Sequence, residues 1–236
     1  MTIVLTGLCK SYGSLPVLKD LSATLSGHTV LWGPSGCGKT TLARILWGLE
    51  VPDAGHVTFC WTGPQGEALY LTESAPAAGS PPYPVRRAAH GAHPRLVGVF
   101  QEDLLCGQLT AIGNVALVCP RGTKEETIRA AFARLGMSGE ALATPAALLS
   151  GGQRRRTALV RAALAEAGGA VLDEPFRGLD AGARAAAMEY IKEAFAGRFL
   201  LLATHDETEA EFFGPQRLSL PLLAGPREKA GPDKPA

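Results

Sequence analysis

The chain has 236 residues, 46% of them apolar, and its 23 basic and 22 acidic residues leave a net charge of +1. That length suits one α/β domain, or a large lobe with a smaller one, and the apolar share is enough for a real core. The charge balance gives no electrostatic case for nucleic acid or an anionic membrane surface. Cys9, Cys37, Cys60, Cys106 and Cys119 are scattered without a C-x-x-C pair, as suits free thiols in a reducing compartment. No apolar run approaches the length that crosses a bilayer, and the start of the chain does not read as a signal peptide. A soluble cytoplasmic protein is expected, free to dock on a membrane protein.

In chain order, residues 2–8 read as a strand, 10–13 as a turn and 17–25 as a second extended stretch. Ser26-Gly27-His28 connects tightly to the apolar strand Thr29-Val30-Leu31-Trp32. Next comes Gly33-Pro34-Ser35-Gly36-Cys37-Gly38-Lys39-Thr40-Thr41, a match to G-x-x-x-x-G-K-[ST]. Leu42, Ile45, Leu46 and Leu49 follow at helical spacing. Strand, glycine loop and helix start, in that order, make an anion site: backbone N–H groups turn to one point and the helix adds its positive end. Lys39 would reach the terminal phosphates of a nucleotide and the Thr40 hydroxyl would ligate Mg²⁺. The plainer reading, a glycine-rich turn before a helix, leaves this agreement of pattern and context unexplained.

Residues 52–55 turn into a strand over 57–61. Residues 63–94 are rich in Gly, Pro, Ala and Ser and read as a surface excursion, with a short hairpin around 67–72. His90 and His93 fall there with no further ligand nearby in sequence, so no metal site is expected of them. Residues 96–100 are a strand ending at Gln101, and 102–148 turn helical. Thr123-Lys124-Glu125-Glu126 has the form of a capping box, and Gly136 closes its helix. Leu149-Ser150-Gly151-Gly152-Gln153 opens a helix through Ala167, and the basic run Arg154-Arg155-Arg156 within it reads as a solvated face. Residues 170–172 form a buried strand ending in Asp173-Glu174, and Gly178-Leu179-Asp180 precedes a helix over 183–195. Residues 199–204 form another buried strand ending at His205, a helix begins at Glu207, and 216–222 close with a short strand. Residues 225–236 have the composition of a disordered tail.

Apolar strands thus end in Gln101, in Asp173-Glu174 and in His205, and ligands of an open parallel sheet bind at such carboxyl ends. Asp173 suits a Mg²⁺ partner, Glu174 a general base, and His205 a γ-phosphate contact that orients water. Gln101 suits a further Mg²⁺ ligand. Tyr12 suits stacking on adenine, although a plain turn tyrosine fits the local sequence nearly as well. Ser150-Gly151-Gly152 is a second anion-binding helix start. One loop already cradles the phosphates, so this second donor set implies another copy of the chain.

Together these residues resemble the ATP-binding cassette (ABC) family, specifically a transporter nucleotide-binding subunit, over residues 1–220. The resemblance implies an α/β P-loop NTPase fold in which a RecA-like core with a mixed sheet spans 1–101 and 154–224. An α-helical subdomain would span 102–153. It makes Tyr12, Val17 and Gly33, Pro34, Ser35, Gly36, Cys37, Gly38, Lys39, Thr40 and Thr41 the ATP site. Thr40, Gln101 and Asp173 hold Mg²⁺, and Glu174, His205, Lys39 and Gln101 act in hydrolysis. Ser150, Gly151, Gly152, Gln153 and Asp180 serve the ATP of a second copy, in a head-to-tail homodimer or a paired cassette. Integral membrane permease subunits would dock at 102–118 on the inner face of the membrane, with a solute-binding protein as a further partner and no nucleic acid. Within the family, the stretch after Gln101 looks most like importers for nitrate, sulfonate, taurine or thiamine-type solutes. Arg177 departs from the small residue usual before Gly178. The chain stops soon after the core, so no regulatory C-terminal domain is expected. An exporter subunit, or a non-transport ABC ATPase acting on nucleic acid or ribosomes, is the alternative. Cys37, inside the loop, is expected to block ATP binding when alkylated and to be protected by ATP.

Overall fold

The computed structural model describes residues 1–62, 68–74, 85–88, 96–214 and 216–221. The chain opens with a hairpin of β1 (Thr2–Tyr12) and β2 (Leu15–Ser26), and β3 (His28–Trp32) leads into α1 (Lys39–Leu46). Then come β4 (Ala54–Thr62), β5 (Ala68–Ser74), β6 (Val85–Ala88) and β7 (Leu96–Val99). Helices α2 (Ala111–Ala116), α3 (Glu125–Arg134), α4 (Glu140–Ala143) and α5 (Gly151–Leu164) precede β8 (Gly169–Asp173). The chain ends in α6 (Ala181–Ala194), β9 (Phe199–Thr204), α7 (Glu207–Phe213) and β10 (Gln216–Ser219).

The strands form two sheets, one antiparallel in the order β2-β1-β4-β5-β6 and one parallel in the order β10-β3-β9-β8-β7. Burial alternates along much of β1, as expected of an antiparallel strand with one face on a core. β8 and β9 are buried at every position, the mark of central parallel strands covered on both faces. Successive residues of β9 therefore serve different cores. Leu201 and Ala203 join α1 and the antiparallel sheet, while Leu200 and Leu202 join α5, α6 and α7. Parallel pairing puts the carboxyl ends of β3, β7, β8 and β9 along one edge, where Gly33, Phe100–Gln101, Glu174 and His205 follow.

Several local readings need correction. β1 continues through Lys10, Ser11 and Tyr12, because the ladder to β2 runs on to the pair Tyr12–Leu15 and the turn falls at Gly13-Ser14. Leu49 is 63% exposed, because α1 ends at Leu46 and the chain leaves the helix before a fourth apolar position can face the core. No capping box forms at Thr123: Lys124 is the N-cap, and the Thr123 hydroxyl donates instead to the Pro120 carbonyl at 2.8 Å. A capping box forms at Ser150 and Gln153. Within 63–94, β5 and β6 extend the antiparallel sheet, and Leu69 and Leu71 are buried, so that stretch contributes to the core. His90, His93, Glu67 and residues 225–236 lie outside the described residues.

Candidate functional site

The loop between β3 and α1 is shaped by what its glycines allow. A Cβ on Gly33 would stand 2.5 Å from Cys37 Sγ and 3.0 Å from the Leu220 carbonyl oxygen. Gly38 has φ 104, a conformation other residues rarely adopt, and a Cβ there would meet Val17 Cγ1 at 3.0 Å. The loop thus closes against Val17 of β2 on one side and turns Cys37 into the core on the other. Lys39 is 5% exposed, and its ammonium donates to the Gly33 and Pro34 carbonyls at 2.6 and 3.0 Å. The cation is curled over the loop, where an incoming polyanion would compete with the carbonyls for it.

Asp173 ends β8 beside the first turn of α1 and is 1% exposed. Burial pushes its carboxyl above the usual range, and a hydrogen bond from the Thr40 hydroxyl opposes that rise. Its Oδ2 is buried without a hydrogen-bond partner. An orphaned carboxylate oxygen beside a threonine hydroxyl is a donor pair that fits Mg²⁺, which takes few protein ligands and completes its shell with phosphate oxygens and water. No cluster of three His, Cys, Asp or Glu able to chelate a metal occurs among the described residues.

Glu174 follows with φ 45, a left-handed conformation that costs a non-glycine residue roughly 1–2 kcal/mol. Its N–H donates to the Ala203 carbonyl at 2.9 Å, so the turn is tied to β9. Its Oε1 lies 2.9 Å from His205 Nδ1, and Oε2 lies 3.8 Å from the Arg177 guanidinium. The imidazole is over half exposed while the carboxylate is largely covered. A network behind His205 holds it in place. Thr204 Oγ1 donates to Glu209 Oε2 at 2.5 Å, and Arg184 pairs with Asp206 at 2.6 Å and Glu209 at 3.0 Å. Burial pushes Glu209 up against the pull of Thr204 and Arg184, while the Arg184 bond holds Asp206 below the usual carboxylate range.

Gln101 is exposed at the end of β7; what is held firmly is its main chain. Arg155 donates to the Phe100 carbonyl at 2.8 Å and the Gln101 carbonyl at 2.6 Å, with Nε 3.1 Å from Asp103 Oδ1. This overturns the reading of Arg154-Arg155-Arg156 as a solvated face. Arg155 is 4% exposed, Arg154 donates to the Leu149 carbonyl, and Arg156 donates to the Gly152 and Leu135 carbonyls. A signal for Arg155 was present in the sequence. It stands three and four residues before Ala158 and Leu159, on the buried face at helical spacing.

Ser150 caps α5: its hydroxyl accepts from the Gln153 N–H at 3.2 Å, and Gln153 Oε1 accepts from the Ser150 N–H at 2.9 Å. Gly151 is exposed and Gly152 lies against the Gly178-Leu179 turn. Asp180, also exposed, caps α6 by accepting from the Ala183 N–H at 2.9 Å, and that bond holds its carboxyl below the usual range. The two helix starts therefore share one exposed edge. No hydrogen bond or ion pair joins residues 150–153 to residues 33–41 among the described residues.

Tyr12 stands at the hairpin tip, 43% exposed, and its hydroxyl donates to Glu50 Oε2 at 3.2 Å. Away from the strand ends, a cleft of about 740 Å³ opens between the last turn of α1, the start of β7 and the segment after α2. Leu46, Trp47, Val97, Leu117 and Val118 line it. The Trp47 ring leans on Phe100 at 4.2 Å between centroids, and its indole N–H is buried without a partner.

The family model described as "ABC transporter" matches residues 18–177. The Fe(3+) ions import ATP-binding protein FbpC of Serratia marcescens is 35% identical over 222 residues, covering 91% of this chain and 59% of that protein. The aliphatic sulfonates import ATP-binding protein SsuB 1 of Nocardia farcinica is 34% identical over 249 residues, covering 99% of this chain and 87% of that protein. The chain therefore spans less than two thirds of the length of the iron-import relatives. In fold it is similar to the dimeric structure of MJ0796, a bacterial ABC transporter cassette, with a TM-score of 0.70 at 22% identity, over 92% of this chain and 94% of that one.

Proposed function

Because the chain belongs to the ABC transporter family, we propose that it is the ATP-hydrolysing subunit of a membrane transporter that imports a solute. The observation that carries this reading is the Glu174–His205 pair at 2.9 Å, set beside an Asp173 oxygen buried without a partner. A base, a hydrogen-bonding imidazole and a metal-ready carboxylate occupy adjacent strand ends, next to a loop that already holds a lysine.

In this reading the N–H groups of residues 33–41 and the Lys39 ammonium bind the phosphates, with Lys39 exchanging carbonyl partners for phosphate oxygens. Thr40 and Asp173 hold Mg²⁺, with Gln101 as a further ligand, and the ion supplies charge neutralisation at the phosphoryl oxygens. Glu174 takes the proton of the attacking water, and His205 holds that carboxylate and the γ-phosphate in register. Tyr12 and Val17 receive the base. Ser150, Gly151, Gly152, Gln153 and Asp180 of a second copy complete the pocket, which is why they stand on an exposed edge of the first.

The cleft beside α1, with residues 102–118, is the docking face for the permease. Leu117, 66% exposed at its rim, gives that face apolar character. No helix among the described residues is long and apolar enough to cross a membrane. The names of the relatives support import and differ in solute, iron in one and aliphatic sulfonates in another.

The test is steady-state hydrolysis by the purified chain. Glu174→Gln is expected to lower turnover by about 10²–10⁴-fold, with binding of Mg²⁺-ATP retained. Turnover left intact would remove Glu174 from the reaction. Co-purification with nucleic acid or ribosomes, in place of a membrane subunit, would overturn the transport assignment.

A further inference from the structure

Lys10 and Glu50 lie apart in sequence, and neither belongs to the phosphate chemistry. Period-two alternation puts Lys10 and Tyr12 on the same face of β1. The Lys10 side chain is 11% exposed, and its ammonium lies 2.8 Å from Glu50 Oε1, 3.4 Å from Asp53 Oδ1 and 5.4 Å from the Tyr12 ring centroid. It also donates to the Val51 carbonyl at 2.8 Å. Glu50 spans two residues of the strand, with Oε1 on Lys10 and Oε2 on the Tyr12 hydroxyl at 3.2 Å. Asp53 closes the arrangement: its Oδ2 accepts from the Ser11 N–H at 2.7 Å, and its own N–H donates to the Cys9 carbonyl at 2.8 Å.

The main chain completes the link. The Glu50 N–H donates to the Arg44 carbonyl of α1 at 3.2 Å. Helix α1 starts in the phosphate loop and, with 8 residues, runs about 12 Å at 1.5 Å per residue. The tyrosine is thus tied, through one carboxylate, to the last turn of the helix whose first turn faces the phosphates. An aromatic ring at a hairpin tip would otherwise be free to swing about χ1 and χ2. Here its hydroxyl is anchored and a cation lies near the ring.

We propose that Glu50 and Lys10 are positioning residues for nucleobase recognition, holding Tyr12 at a fixed separation from the phosphate loop by anchoring it to the far end of α1. This rests on the reading of Tyr12 as the base platform. It adds that part of the affinity for a purine nucleotide comes from the Lys10–Glu50 pair, whose members never touch the nucleotide. The charges of the pair support one another. Lys10 holds the Glu50 carboxyl below its usual range. Burial pulls the Lys10 ammonium down, but Glu50 and Asp53 more than offset that and leave it raised.

The test compares two ligands on the full chain by calorimetric titration in the presence of Mg²⁺: ATP, and inorganic tripolyphosphate, which has phosphates but no base. Glu50→Ala is expected to weaken ATP by about tenfold, the worth of one anchored hydrogen bond to a charged group, and to leave tripolyphosphate unchanged. Glu50→Gln, which still accepts from Tyr12, should recover part of the loss. Tyr12→Phe should match Glu50→Ala, and the double variant should be no weaker than either. If Glu50→Ala binds ATP like the parent while Tyr12→Ala is weakened, the positioning role is wrong and the base platform stands. If Tyr12→Ala is also unaffected, the base platform itself is wrong. Equal weakening of both ligands by Glu50→Ala would mean that the residue only supports the fold, and would also overturn the proposal.

Discussion

The thiol of Cys37 points into the core beneath the phosphate loop, 2% exposed and against Gly33. From its place in the motif, alkylation was expected to block ATP binding and ATP to protect. Burial changes the kinetics of that experiment. A thiol reacts as an accessible thiolate, so modification of Cys37 must wait for the loop to open away from β10 and the sheet beneath it. Cys106, exposed in the segment after Gln101, needs no opening. Treating the native chain with iodoacetamide and mapping peptides by mass should therefore show Cys106 modified first and Cys37 modified on the timescale of unfolding. ATP binding should persist while Cys106 alone carries the label. Equal rates at the two sites in the native state would mean that the loop is open far more often than its packing implies. Cys37 thus serves as a small apolar filler that a motif reading cannot tell from a phosphate-facing residue, since both are specified by the same glycine spacing.

Helix α5 joins two parts of the candidate site: its first turn carries the Ser150 cap, and Arg155 one turn on fastens the strand end at Phe100–Gln101. Arg155→Ala would remove both carbonyl bonds and strip Asp103 of its partner in a largely buried pair, 5% and 15% exposed. Breaking such a pair costs about 3–5 kcal/mol, so urea unfolding should show a loss near the lower end of that range. The pH dependence has a defined sign. Burial already raises the Asp103 carboxyl, with Arg155, Arg154 and Arg161 opposing the rise. Without Arg155 it rises further, and a carboxyl raised in the folded state favours folding as pH falls and it takes up a proton. The deficit against the parent should therefore narrow as pH drops below neutral; a deficit that stays constant would show that Asp103 is not the source. Sequence reading stopped short of this link because a run of three arginines has the composition of a solvent face, and only its phase against Ala158 and Leu159 shows otherwise. The parallel strands were legible because β8 and β9 are uninterrupted apolar runs ended by a charged or polar residue. Of β5 and β6 only a short hairpin around 67–72 was legible, because among prolines and glycines only Leu69 and Leu71 show the period of two, and strand pairing with β4 supplies the rest. Thr123 and Ser150 each put a hydroxyl three residues ahead of a Glu or Gln. A box forms at Ser150, which is the N-cap of its helix, and not at Thr123, which stands one residue before the N-cap Lys124.

Two copies of the molecule are required if the exposed edge formed by Ser150, Gly151 and Asp180 is to reach a nucleotide. Among the described residues of one copy, Ser150 and Asp180 bond within their own helices, and no bond joins them to the loop that holds Lys39. Their donors are already ordered: Ser150 and Asp180 fix the first turns of α5 and α6, so association would not have to pay again for ordering them. That predicts an activity that depends on encounter. Turnover per milligram of purified chain should fall on dilution, steeply once the concentration drops below the dissociation constant of the ATP-bound pair. Ser150→Arg places a bulky cation at the shared edge without touching residues 33–41, so it should abolish that concentration dependence along with turnover while single-site ATP binding survives. Mixing Ser150→Arg with Glu174→Gln separates the two contributions. In a head-to-tail pair each pocket draws Glu174 from one copy and Ser150 from the other. A mixed pair therefore contains one pocket with both lesions and one with neither, and turnover should reappear from two inactive proteins. If the mixture stays inactive while each variant still binds ATP, the pocket is completed within a single chain, and residues 150–153 would have to move toward Lys39 in the same molecule.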